Sequence, residues 1–118
     1  MNGISPQLQN QITQFQQVQQ QLQNVSTQKV QMEAQLRELQ RTLEELGKAN
    51  GDVYKNVGSL LIKVDDKDTL KLDIEDSMET MDIRVKSLDR QEKSLREKYQ
   101  SLQDTLNKAM GNTAAGEE

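Results

Sequence analysis

Asp65, Asp66 and Asp68 form the tightest cluster of side chains that could bind a cation or handle a proton. A calcium loop needs a glycine for its sharp turn and a closing glutamate, and this spacing supplies neither. The same carboxylates precede a long stretch of helical periodicity. There, a side-chain oxygen caps free backbone N–H groups and a negative charge complements the helix dipole, so capping is the better reading. The chain has no His and no Cys. That removes imidazole bases, thiolate nucleophiles, disulfides and Cys/His zinc sites. No glycine-rich phosphate loop is present. The expectation is no enzyme, no metal and no cofactor.

Two further charged residues stand out by position, Lys29 and Glu92, and the elements that hold them explain why. Aromatics make up 3% of the 118 residues and charged residues 29%. That is too little apolar volume for an ordinary globular core, but it suits long helices with a narrow seam. Leu8, Phe15, Leu22, Lys29, Leu36 and Leu43 recur every seven residues, and Ile4, Gln11, Val18, Val25, Met32, Leu39 and Leu46 fill the companion position. A second arm repeats the pattern with Ile74, Met81, Leu88, Leu95, Leu102 and Ala109 against Met78, Val85, Glu92, Tyr99 and Leu106. Each arm thus carries one charged residue in its seam. Ser5-Pro6 reads as an N-cap and first helical residue, and Gly47 with Asn50-Gly51 as the stop. A short joint between arms of similar length favours an antiparallel pair of helices. With Leu46 facing Met78, Leu36 meets Leu88, Val25 meets Tyr99 and Leu22 meets Leu102. Lys29 then falls opposite Leu95, one layer from Glu92. Either the two charges pair and fix the register, or both reach out to solvent.

The joint, GDVYKNVGSLLIKV (51–64), is rich in β-branched residues. Gly58-Ser59 between two such runs signals a two-residue hairpin, with Gly supplying the positive φ of a type II′ turn. That register puts Val57 opposite Leu60, Lys55 opposite Ile62 and Val53 opposite Val64. One face is Val53, Lys55, Val57, Leu60, Ile62 and Val64; the other is Tyr54, Asn56, Leu61 and Lys63. An isolated two-stranded hairpin is marginal in water and both its edges are open. Pairing hairpins from several chains into a small barrel solves both problems. Val53, Tyr54, Val57, Gly58, Leu60, Leu61, Ile62 and Val64 are therefore the candidate assembly residues. The expected fold is mainly α, with two long helices forming an antiparallel coiled coil joined by one β-hairpin that assembles into an intersubunit β-barrel. As one domain over 1–118, it has a first arm over 5–48, a hairpin over 52–65, a second arm over 67–110 and a disordered tail over 111–118.

VYKNVGSLLIKV between two heptad arms, followed by KDTLKLDIEDSMETMDIRVKSLDRQEKSLREKYQSLQDTL, resembles the β-type subunit of prefoldin, of the archaeal kind. The resemblance covers about Leu8 to Leu106, and a single hairpin fits the β rather than the α class. It implies an ATP-independent holdase chaperone. Two α-type subunits with four β-type copies would join through their hairpins into a hexamer. Coiled-coil tips would grip unfolded client polypeptides and deliver them to a group II chaperonin in the cytoplasm.

In an antiparallel arm, the start of the first helix and the end of the second lie together. The candidate client-contact residues are Ile4, Leu8, Ile12, Phe15, Leu102, Leu106, Ala109 and Met110. Residues 1 to 28 carry no charged side chain, so apolar atoms are offered beside neutral Gln, which suits weak contact with many clients. The same residues at heptad spacing also read as plain seam. A structural coiled-coil scaffold without client binding is the alternative function. A net charge of −4 with no long basic block argues against nucleic acid. No apolar run or signal-peptide pattern suggests a membrane.

Overall fold

The computed structural model describes residues 4–117, with side chains described for 4–111. The element order is α1 (Pro6–Lys48), β1 (Tyr54–Val57), β2 (Leu60–Lys63) and α2 (Lys67–Glu117). Ser5 caps α1: its hydroxyl accepts from the Leu8 N–H at 3.1 Å, and its carbonyl accepts from Gln9 at 3.0 Å. Pro6 takes the first helical position, where a missing N–H costs nothing. Gly47 lies inside the last turn of α1 rather than ending it. The helix closes through a tightened contact, with the Ala49 N–H donating to the Leu46 carbonyl at 3.3 Å.

Asp66 caps α2. Its Oδ1 accepts from the N–H groups of Asp68 and Thr69 at 3.0 and 3.3 Å, and its Oδ2 accepts from the Thr69 hydroxyl at 2.8 Å. Those Thr69 bonds hold the Asp66 carboxyl below its ordinary range. The helix continues past residue 110 to Glu117, through a stretch with no seam that contains the helix formers Ala114 and Ala115. A disordered tail over 111–118 is thus not what the backbone shows up to Glu117; Glu118 lies outside the described residues, as do Met1 to Gly3.

The chain forms two compact units, one of Met1–Lys29 with Leu88–Glu118 and one of Val30–Ser87. In the first, contacts from Phe15 to Tyr99 and from Lys29 to Asp89 run in opposite sense along the two helices, so the pairing is antiparallel. Leu8, Gln11, Phe15, Val18, Leu22, Val25 and Lys29 are buried or half-buried, as are Leu88, Glu92, Leu95, Tyr99, Leu102, Leu106 and Ala109. This is the heptad pattern. Among the described residues of this unit, only Val18 at 4% and Leu106 at 9% exposure are closed off, as a two-stranded seam requires.

In the second unit the same spacing buries Met32, Leu36, Leu39, Leu43 and Leu46 from α1, with Ile74, Met78, Met81 and Val85 from α2. Leu70, which the heptad rows omit, is half-buried too. Leu46, Leu70 and Ile74 line one cleft of about 470 Å³ with Val53 and Tyr54. Leu46 therefore packs toward Leu70 and Ile74, nearer the start of α2 than the expected partner Met78.

The hairpin register pairs Tyr54 with Lys63, Lys55 with Ile62, Asn56 with Leu61 and Val57 with Leu60. A further bond from the Val64 N–H to the Val53 carbonyl at 2.8 Å extends the ladder. Gly58 has φ +61° and, among the described residues, no non-glycine has positive φ. That combination is the one a type II′ turn needs. Lys67 Nζ reaches the Gly51 carbonyl at 2.6 Å and ties the joint to α2.

Candidate functional site

Two surfaces carry the chemistry, one in each compact unit. The first is the hairpin. Every residue of β1 and β2 is exposed, including Leu61 at 70% and Leu60 at 63%. Tyr54, Val57 and Ile62 are also exposed, while Val53 and Val64 at the base are half-buried. Both faces thus present apolar side chains. On the face shared by Lys55 and Ile62, Val64 forms a shallow cleft with Thr69 and Leu70 of α2. Tyr54 and Leu61 lie on the other. An exposed apolar patch of this kind marks a candidate partner-binding surface.

The second surface is the outer part of the first unit. Of the eight candidate contact residues there, only Ile4 at 51% and Met110 at 63% are exposed. Leu8, Ile12, Phe15, Leu102 and Ala109 are half-buried and Leu106 is buried. Phe15 stacks on Tyr99 with ring centroids 4.7 Å apart and planes 29° from parallel. Tyr99 therefore meets Phe15, not Val25. The expected pairing sets the two helices out of register along one another, since Phe15 and not Val25 stands at Tyr99.

Between these outer residues and the end of the unit lies a polar layer. Lys29 Nζ lies 2.8 Å from Asp89 Oδ1 and 3.2 Å from Glu92 Oε1. The Ser26 hydroxyl donates to Glu92 Oε2 at 2.6 Å. Glu92 is 12% and Lys29 20% exposed at the side chain, so neither seam charge reaches out to solvent. Lys93 and Arg96, one turn along α2, sit 3.5 Å from Asp89 and 3.6 Å from Glu92. The Ser26 hydroxyl, together with Lys29, holds the Glu92 carboxyl below its ordinary range. The Lys29 bond does the same for Asp89, and Asp89 with Glu92 raises the Lys29 ammonium. Ser26 and Asp89 stand outside the heptad rows, which is why seam positions alone do not reveal them. Each stands three residues before a charged seam residue, and on a helix that spacing shares a face.

The prefoldin subunit family profile matches residues 9–113. The chain belongs to the prefoldin subunit family. It is 51% identical over 113 residues to the prefoldin subunit beta of Methanocella arvoryzae, covering 94% of this chain and 89% of that one. It is 41% identical over 105 residues to that of Thermoplasma volcanium, covering 87% and 85%. Its fold is similar to the crystal structure of the prefoldin beta subunit from Thermococcus strain KS-1, with a TM-score of 0.79 and 36% identity over 92% of this chain and 96% of that one. This prefoldin subunit therefore shares two long helices around one hairpin with its archaeal β relatives. Among its described residues no helix is long and apolar enough to cross a membrane.

The polar layer makes the subunit's stability depend on pH. Asp89, Glu92 and the cap Asp66 have folded values below their ordinary ones. Their contribution is complete above the usual carboxylate range and is lost as pH falls through it to the depressed values. Lys29, raised, contributes below its ordinary value and loses that contribution as pH climbs through the raised one. The helical melting temperature followed by circular dichroism should fall at both ends. The Glu92→Gln chain should show a shallower acid limb, and an unchanged limb would deny the layer its electrostatic role.

Proposed function

We propose that this prefoldin subunit is part of an ATP-independent holdase chaperone in the cytoplasm. The exposed hairpin joins it to α-type subunits and to further copies of itself, two α with four β, through an intersubunit barrel. The outer ends of the helices capture unfolded polypeptides and pass them to a group II chaperonin. The observation that carries the reading is the hairpin, apolar on both faces and exposed throughout, in a chain of this family. Exposed Ile4 and Met110 support the outer ends as the place of client contact. Burial of Leu106 and half-burial of Leu8 and Phe15 in the seam favour, as a second reading, a scaffold that holds no client.

Suppression of aggregation of a chemically unfolded protein, without ATP, separates the two. The assembled complex is compared with one whose β subunits begin after Phe15 and end before Leu102, both verified as hexamers. The holdase reading expects protection by the full complex and its loss on trimming. Absence of protection by either moves the scaffold reading ahead. Equal protection by both places client contact elsewhere on the arms.

A further inference from the structure

Most apolar side chains assigned to client contact are half-buried in the seam and Leu106 is buried, so their full exposure requires the seam to open, and the way it opens can be read from its composition. Residues 4–28 carry no ionisable side chain, so no ion pair can join α1 to α2 outward of Lys29. What holds that stretch is half-buried apolar contact, with Gln11 inserted among it, and the Phe15–Tyr99 stack. At Lys29 the character changes. Three cross-helix bonds of 2.6, 2.8 and 3.2 Å close together. Opening past this layer must break all three together, between a Lys29 that is 20% exposed and a Glu92 that is 12% exposed. Bonds to a carboxylate are stronger than neutral ones, whereas outward of the layer only apolar contact is lost. Lys93 and Arg96 keep the two carboxylates paired on α2 itself.

We propose that Ser26, Lys29, Asp89 and Glu92 form the inner stop of a seam segment, residues 8–25 against 95–109, that opens and closes as one unit. The layer has a second effect. Heptads padded with Gln resemble one another, so a reopened seam could close one layer out of step. A lysine and a hydroxyl on α1 that must both meet carboxylates on α2 have one matching place, and they return the helices to one register. On the holdase reading, the open segment is the state that takes a client.

Amide hydrogen exchange on the full-length protein in its assembled state, with no client present, tests the stop. Once separated, either outer stretch is a single helix of marginal length in water, so opening exposes its amides. The expected result is common exchange over 8–25 and 95–109, with a step of about tenfold or more in protection at Lys29 and at Asp89–Glu92. In Lys29→Gln the step moves inward past Met32. In Asp89→Asn, which keeps one acceptor for Lys29, it stays in place and becomes shallower. Protection that rises smoothly from the ends, or a step that Lys29→Gln leaves unmoved, overturns the proposal. Because no client is present, either result is independent of whether the holdase reading stands.

Discussion

Leu61→Asp is expected to release the subunit from its assembly while leaving its helices intact. Leu61 is 70% exposed, so a carboxylate there meets water in the lone chain and changes its stability by no more than about 0.5 kcal/mol. In the proposed barrel of paired hairpins the same side chain is buried among apolar neighbours, and the cation on its face, Lys63, already faces Asp52 at 3.8 Å. Burying an unpartnered carboxylate costs at least about 3 kcal/mol, which weakens association on the order of 100-fold at each such contact. Mass measurement of the mixed subunits should show free chains or small fragments in place of the hexamer, with the helical circular dichroism unchanged. Leu61 and Tyr54 share one face and Val57, Leu60 and Ile62 the other. A complex that survives Leu61→Asp but fails with Ile62→Asp would assign the interface to the second face. Survival of both would remove the hairpin from assembly.

The two valines Val18 and Val30 give the second large contrast. Both lie on α1, one 4% and the other 61% exposed. Val18→Asp places a charge in the seam of a stretch that has no charged side chain of its own. The expected loss is about 3 kcal/mol, or on the order of 10 °C in Tm. Val30→Asp, on the solvent side, should shift stability by no more than about 0.5 kcal/mol. The hydrophobic character lost is the same in both, so the difference isolates the seam. Equal Tm values for the two variants would mean that the outer helices are not paired in solution.

The seam could be read from the sequence because its period differs from that of any loop or strand, and burial along both helices follows it residue by residue. The hairpin register was equally legible, since Gly58-Ser59 fixes both the turn and which side chains stand opposite. The alignment of one helix against the other was not. A seven-residue repeat looks alike after a slip along the seam, so by spacing alone Tyr99 fits Val25 as well as it fits Phe15. What decides is which side chains meet, as in the Phe15–Tyr99 stack and the Lys29 pairs, and Leu70 lies outside the heptad rows. For the same reason the rows contain the two seam charges but not Ser26 and Asp89, which complete the layer from its flanks. The client-contact residues were legible as apolar positions only. Whether they are open or closed depends on packing, which leaves Ile4 and Met110 open and shuts Leu106.

The outer half of α1 is neutral, while α2 between residues 88 and 108 carries charges of both signs. A surface without fixed charge gathers no cloud of counterions, so an arriving chain displaces none. Contact along that side gains nothing from ion release and loses nothing to screening. Its strength should change little as the ionic composition of the surroundings changes, and acidic and basic chains should approach it at similar rates.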